Sequence, residues 1–405
     1  MLGTATRFVL SGLLWIIVVG ALAVVIVPRF LDRIYYEGAV SDHFDGARFF
    51  NPDGEDTARA PGGGGRAGFL WRQATGRDGR PRWPASVATT QTKPATRVTG
   101  EAMVATWIGH ATTLVQTQGL NIVTDPVWSE RAGPFGFGPQ RVQPPGVAFD
   151  DLPRIDVILI SHNHYDHMDL TTLKRLWMRD RPLIVTSLGN DAILRSEGID
   201  ATAVDWGGSV TVEARGNLAE PATIYVMRNH HWGSRWFTDR NRALWSSFVV
   251  DLPGGNLFFA GDTGFGDGRW PVEAAALGPV RLALIPIGAF RFQPGQMGTG
   301  SHIGPIDAVG VFRRLGAQTA IPIHWGTFRL SYEARETPPD LLAAALKCSG
   351  VPSTKPGTTF DRVEVGRPVR VPPMTASAPL QPGPPVRDRA AITRCLDTPQ
   401  VRALR

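Results

Sequence analysis

The stretch IDVILISHNHYDHMDL, residues 155–170, decides how the chain is read. Its first half is a run of β-branched and aliphatic residues, the composition of a strand buried on both faces. Its second half sets His162, His164, Asp166 and His167 within six residues, ahead of the amphipathic pattern DLTTLKRLWMRD. A loop at the end of a buried strand can aim several side chains into one cleft. Three of the chain's nine histidines share this loop. Neutral imidazole and ionised carboxylate are zinc ligands at about 2.0–2.2 Å, and a solvated turn has no structural reason to gather three titrating rings beside a carboxylate.

A six-residue loop cannot enclose a metal pair, so further ligands are expected from other strand ends. His230-His231 follows ATIYVM, Asp262 follows NLFFAG, and His324 closes TAIPIHW. A lone histidine at a strand end is ordinarily a hydrogen-bonded core residue. Repetition of the same placement argues instead that these ends share one edge of the fold.

Other runs read as strands: VATWIG, TTLVQT, NIVTDP, LIVTS, SVTVEA, LWSSFVV and LALIPIG, bounded by Gly, Pro, Asn or Asp. Helical patterns fall between some of them, in NDAILRSEG, PVEAAALG, GPIDAVGVFRRLG and PPDLLAAALKCSG. Several strands follow one another directly as hairpins. Two mixed sheets covered by helices therefore suit the α/β order better than a doubly wound Rossmann fold. The catalytic domain is expected over 101–365, after an irregular lead-in at 38–100 and before a Pro-rich tail with a short terminal helix at 366–405.

Residues Phe8 to Val27 carry no charge and reach about 30 Å as a helix, the thickness of a bilayer's hydrocarbon. The reading taken is an uncleaved transmembrane anchor at 8–27. Its rival is a cleaved signal peptide, with Arg7 before the run and Ala21-Leu22-Ala23 as the cleavage site. The anchor implies a single-pass protein of a bacterial inner membrane with its catalytic body on the periplasmic side. PGGGGRAG at 61–68 lacks the Gly-Lys-Ser/Thr ending of a phosphate loop and reads as a connector. Trp71 and Trp83, set among Arg66, Arg72, Arg77, Arg80 and Arg82, are expected to rest on the membrane surface.

Composition narrows the class. The 405 residues are 43% hydrophobic and 19% charged, which excludes a wholly disordered or multi-span chain. The net charge is +6, carried by arginine, since only Lys93, Lys174, Lys347 and Lys355 are lysine. The arginines are scattered through loops with no basic helix or zinc-finger spacing, so no nucleic-acid partner is expected. An anionic lipid or a phosphate-containing substrate accounts for the excess as well. Cys348 and Cys395 are too few for a disulfide scaffold or a Cys-rich metal site and leave one disulfide open.

The H-x-H-x-D-H loop with the later histidine, aspartate and histidine resembles the metallo-β-lactamase superfamily. Within it, TWIGHATTL, TDPVWSERA, GPQR, LISHNHYDH, FFAGDTG, IPIGAF and IHWGTF, in order over about residues 101–335, resemble the N-acylphosphatidylethanolamine-hydrolysing phospholipase D family and its bacterial relatives. The resemblance implies an αββα sandwich with two zinc ions at one edge. Carried over residue by residue, His162, His164 and His231 would hold one ion, Asp166, His167 and His324 the other, and Asp262 would bridge them. A hydroxide shared by the ions would attack the scissile centre, oriented by Asp166 and Asp262. His302, in TGSHIGPIDA, matches a position suited to hydrogen-bonding substrate. His110 in WIGHAT would brace the site or touch substrate, His230 would support the ligands or face the other side of its strand, and His43 has no catalytic part.

The function so implied is a membrane-anchored dinuclear zinc phosphodiesterase acting on N-acylphosphatidylethanolamine-like phospholipids. Trp232, Trp325, Phe265, Phe290 and Phe292 are expected to form an apolar wall for acyl chains. One departure bears on the head group: Gly133-Pro134-Phe135-Gly136-Phe137 replaces a polar, tyrosine-bearing loop of the family. The alternatives are a zinc lactonase or other cyclic ester or amide hydrolase, and a non-catalytic binding protein that keeps zinc for stability.

Overall fold

The computed structural model describes residues 3–54, 79–212, 221–236, 238–291, 300–350, 359–374 and 389–402. The glycine run at 61–68, Trp71 and Phe292 lie outside them. Two seven-stranded sheets carry the fold. The first contains β1 (Met103–Gly109), β2 (Thr112–Thr117), β3 (Leu120–Thr124), β4 (Val157–Ile160), β5 (Leu183–Ser187) and β6 (Thr202–Val204). The second contains β7 (Ser209–Val212), β8 (Ala222–Met227), β9 (Ser247–Asp251), β10 (Asn256–Phe259), β11 (Val280–Pro286), β12 (Thr319–Ile323) and β13 (Thr359–Phe360). A last strand, β14 (Pro368–Val371), returns to pair antiparallel with β1, Met103 opposite Val371. The first sheet thus takes in residues beyond the 365 boundary drawn from the sequence.

Strand direction decides where the loops fall. Strands β3 to β6 are parallel, and β1 shares their direction because β1–β2 and β2–β3 are both antiparallel. In the second sheet β10 to β13 are parallel, and β8 runs with them through antiparallel β9. The residues after β1, β3 and β4 therefore leave one edge of the first sheet, and those after β8, β10, β11 and β12 leave one edge of the second.

The period of two along each strand sorts side chains between two cores. From β1 to β5, Ala105, Trp107, Val115, Ile122, Leu159 and Val185 join Phe248, Phe258 and Leu284 of the other sheet in the central core. The alternate residues Ile108, Leu114, Val123, Ile158 and Ile184 face α2 (Leu170–Asp180), where Leu173 and Leu176 cover them. That is why β4 reads as a continuous apolar run. Each such side chain contributes about 1.5–3 kcal/mol on burial. Helices α3 (Asn190–Arg195), α4 (Trp270–Ala275), α5 (Pro305–Leu315) and α6 (Thr337–Ser349) match the helical patterns in the sequence.

The N-terminal apolar run forms α1 (Thr4–Leu31). Among the described residues, however, no helix is long and apolar enough to cross a membrane. The expected transmembrane anchor, and with it the single-pass localisation with a periplasmic body, is corrected accordingly. A span takes about 20 consecutive apolar residues. Arg7 bounds the run in α1, and Ser11, Gly12 and Gly20 interrupt it. After α1 the chain is tied to the body, since Asp32 pairs with Arg242 at 2.5 Å and with Arg48 at 3.3 Å.

Among its described residues the lead-in has no regular strand, but it is docked. Phe44 and Phe49 are buried against Leu244 and Trp245. Trp83, expected on a membrane surface, instead donates its indole N–H to the Glu333 carbonyl at 3.1 Å. At the other end the tail forms α7 (Arg389–Cys395) and α8 (Pro399–Arg402). Cys395 is disulfide-bonded to Cys348 of α6, and Ile392 and Leu396 are buried in the central core.

Candidate metal centre

Every donor singled out in the sequence sits just beyond a strand end, and the two edges meet around Asp262. One group is His162, His164 and His231; a second is His110, Asp166, His167 and His324. His162 Nε2 lies 2.8 Å from His164 Nδ1, which lies 3.4 Å from His231 Nε2. In the second group His167 Nε2 is 3.2 Å from His324 Nε2, and each is 3.7 Å from Asp166 Oδ2. Asp262 Oδ2 touches both groups: it is 3.1 Å from His167 Nε2, 3.0 Å from His324 Nε2 and 3.9 Å from His231 Nε2.

These spacings test whether a metal fits. Ligand atoms around a tetrahedral ion with bonds near 2.0–2.1 Å are separated by about 3.3 Å, and the observed separations bracket that value. The outer nitrogens are fixed by acceptors. His162 Nδ1 donates to Ser161 Oγ at 2.9 Å, His167 Nδ1 to Asp125 at 2.6 Å, His231 Nδ1 to the Ser301 carbonyl at 2.8 Å, and His324 Nδ1 to the Gly288 carbonyl at 3.3 Å. Each bond leaves an Nε2 lone pair pointing inward, the arrangement that orients metal-binding histidines. Asp262 Oδ1, buried with no hydrogen-bond donor, is a further coordinating atom. The donor set of imidazole and carboxylate, with no thiolate, suits zinc.

Charge is distributed unevenly between the groups. Burial pushes the imidazoles of His164 and His231 down to about 3, and that of His162 well below its ordinary value, so the first group is neutral. For His167 and His324 burial acts in the same sense but the carboxylates of Asp262 and Asp166 outweigh it. His324 is raised to about 9 and His167 well above its usual range. Burial would raise Asp166 and Asp262, yet the cationic rings around them hold both carboxyls well below the usual range.

Asp125, in the segment TDPVW, belongs to the site although it is not among the donors expected from the sequence. It follows β3, is fully buried, and serves both groups. One oxygen accepts from His167 Nδ1 and from Ser161 Oγ at 2.6 Å; the other accepts from Ser161 N at 2.8 Å. Since Ser161 Oγ in turn accepts from His162, one carboxylate orients a ligand in each group. A carboxylate at the end of an apolar strand, the cue used for Asp262, would have found it. Backbone strain gathers here too. His110, Asp125, Ala289 and His324 have φ of 54°, 31°, 59° and 64°, conformations that cost about 1–3 kcal/mol each and persist where surrounding structure over-determines them. Gly261 allows the close approach of β10 to β4, since a Cβ there would lie 2.6 Å from Ser161 Cβ.

The other histidines separate cleanly. His302 stands at the mouth, Nδ1 3.8 Å from Asp262 Oδ2, with its ring 5.1 Å from that of His231. His110 braces Asp166, Nε2 to Oδ2 at 2.9 Å, while its carbonyl accepts from His324 N. His230 faces away and pairs with Asp53 at 2.9 Å. His43 bonds Asp205 and stacks on Trp206.

The expected apolar wall is revised. Phe290 and Trp325 are buried in the central core, and Phe265 packs under Arg314. Apolar surface stands elsewhere: Trp232 lies 4.3 Å from the His164 ring, and Phe135 and Phe137 are 82% and 73% exposed. Phe135 meets Trp236 edge-on at 6.2 Å, so the replaced loop joins the segment that carries Trp232.

Comparison with known proteins bears on the family. The beta-lactamase superfamily domain matches residues 120–325. The chain is 38% identical over 234 residues to an N-acyl-phosphatidylethanolamine-hydrolyzing phospholipase D 1 of Caenorhabditis elegans, covering 56% of this chain and 64% of the relative, a little under two thirds of its length. A mitochondrial N-acyl-phosphatidylethanolamine-hydrolyzing phospholipase D of Saccharomyces cerevisiae is 32% identical, over 56% of this chain and 48% of the relative. Among solved structures, a "possible metal-dependent hydrolase" from Veillonella parvula aligns with TM-score 0.51 over 66% of this chain and 99% of that one, at 14% identity, and shows the fold alone. With its two mixed sheets and its His/Asp donors at their common edge, the chain belongs to the metallo-β-lactamase superfamily.

Proposed function

We propose that the chain is a dinuclear zinc phosphodiesterase acting on phospholipids of the N-acylphosphatidylethanolamine type. The observation that carries this reading is the meeting of two donor groups on one carboxylate, Asp262 Oδ2. His162, His164 and His231 would hold one ion, Asp166, His167 and His324 the other, with Asp262 shared. Zinc, when bound, lowers the pKa of a coordinated water towards neutrality and stabilises charge on phosphoryl oxygens.

The chain's own residues supply the rest. Asp166 and Asp262 are carboxylates set among the donor rings, so each can position the attacking water by accepting a hydrogen bond from it. His302 is neutral near pH 7, pushed down by burial to about 3, and can hydrogen-bond a phosphoryl oxygen or the leaving group without carrying charge. Trp232, Trp236 and Phe135 offer a lip of apolar surface for an acyl chain. Both relatives named above are phospholipases D by description, which supports the phosphodiester over a lactone.

The test is metal content measured with release of phosphatidic acid from N-acylphosphatidylethanolamine vesicles, alongside bis(p-nitrophenyl) phosphate and a lactone panel. Two zinc ions per chain and phosphatidic acid release are expected. Two zinc ions with turnover of lactones only would replace this reading with the lactonase, and zinc without any turnover would replace it with a binding protein.

A further inference from the structure

A cavity of about 480 Å³ lies apart from the metal centre, and none of the seven proposed metal donors lines it. Its size falls in the range of small-molecule sites. Arg335, Arg362 and Arg367 face it, from α6's approach and from the segment between β13 and β14. Trp325 forms its floor. The guanidinium carbons of Arg335 and Arg362 lie 5.8 and 5.2 Å from that indole's centroid, so two cations stack on one ring.

The charges do not balance. Glu336 is shared, pairing with Arg335 and, at 2.6 Å, with Arg362. Glu364 is the carboxylate that lines the cavity itself. Among the lining residues, Arg335, Arg362 and Arg367 stand against Glu364, a positive surplus in a concave site where a multi-oxygen anion meets the planar forks of Arg362 and Arg367. Thr89 also lines the cavity, and its buried hydroxyl has no hydrogen-bond partner among the described residues. Trp325 follows His324 directly, and Arg335 Nε donates to the Gly326 carbonyl at 3.0 Å. The floor of the cavity is thus the turn that carries a proposed metal donor.

We propose that this cavity is a second site, binding a small organic anion with a phosphate or carboxylate head. The experiment is calorimetric titration of the full chain with inorganic phosphate, glycerol 3-phosphate and hexanoate, each with zinc loaded and after chelation. At least one is expected to bind in both metal states, and the preferred arm distinguishes phosphate from carboxylate. Arg362→Gln/Arg367→Gln, both exposed, should keep the thermal midpoint and weaken binding about tenfold or more. Glu364→Gln, which removes a competing carboxylate, should tighten it, and gives an independent reading should the double variant fail to fold. No binding by any arm up to about 10 mM, binding that disappears with zinc, or unchanged affinity in the variants would overturn the proposal.

Discussion

Asp125 and His167, 42 positions apart in the chain, meet through a 2.6 Å hydrogen bond between a carboxylate and an imidazole that are both fully buried. The bond sets which nitrogen of His167 faces Asp166, Asp262 and His324. The same carboxylate reaches His162 through Ser161, so the two donor groups share one anchor. Asp125→Asn removes the charge and one acceptor, and its amide can present N–H to His167 and favour the wrong tautomer. Zinc affinity is expected to fall by about 10–100-fold, as for outer-shell partners elsewhere. Chelator competition measures it, with circular dichroism showing an intact fold; unchanged affinity would show that the packing around His167 suffices to hold the ring.

Proton release should accompany metal binding. Without metal, His324 is protonated up to about pH 9 and His167 beyond its ordinary range, because Asp262 and Asp166 hold the protons there. Both rings must deprotonate to ligate zinc. Raising pH towards 9 removes the competing proton from His324, so apparent affinity rises with pH across 6–9 rather than levelling off near 6.5. Calorimetry in buffers of different ionisation enthalpy should count close to two protons released at pH 7. A count near zero would mean that these histidines are already neutral.

The turn after β11 is held from behind. Glu333, buried, accepts from the backbone N–H of Phe290 at 3.3 Å and of Arg291 at 3.1 Å, next to Gly288, whose carbonyl receives His324 Nδ1. Burial raises the carboxyl's pKa. Glu333→Gln leaves one acceptor where two N–H groups point, and is expected to cost about 1–3 kcal/mol in unfolding free energy, with weakened zinc binding alongside. Chemical denaturation of both metal-loaded and metal-free protein separates the two effects.

The Cys348–Cys395 disulfide closes a sequence separation of 47 and ties α7 to α6. Loop-closure entropy for that length is about 4 kcal/mol at 25 °C. Cys348→Ser/Cys395→Ser should therefore lose about 2–4 kcal/mol of stability, and the exchange of amide protons near Ile392 and Leu396 should speed up first, since these residues lose their tether to the core. Turnover at a temperature well below the midpoint should be unaffected.

What could be read from sequence followed from local pattern. The apolar run ending at Ile160, the hexapeptide after it and the matching ends at Met227, Phe259 and Ile323 carry their own signals, and the shared edge follows from repetition. What could not be read depended on distant partners. The pairing of β14 with β1 joins residues more than 250 positions apart and leaves no trace in the short run PVRV. The aromatic wall failed for a related reason: next to a strand end, periodicity does not say whether Phe290 or Trp325 turns towards the cleft or the core. Asp125 carries the strand-end cue that marks Asp262, but its bond to His167, 42 positions away, leaves no local trace. The N-terminal run shows the opposite limit, since uncharged length predicts a helix well and α1 is one, yet among the described residues it does not amount to a span.

Phe135 and Phe137 give the last prediction, and it bears on the substrate. Both rings stand in water at 82% and 73% exposure, and Phe135 already contacts Trp236, four residues from the Trp232 ring that lies against His164. Exposed rings of this size add nothing to the free chain's stability, but if an acyl chain covers them, each contributes about 1.5 kcal/mol or more to binding. Phe135→Ser/Phe137→Ser should therefore raise KM for long-acyl phospholipids by about tenfold or more while leaving kcat/KM for bis(p-nitrophenyl) phosphate unchanged, because that substrate is too short to reach the loop. A uniform loss with both substrates would place the loop's effect on the metal centre itself, and no loss with either would remove this lip from substrate binding.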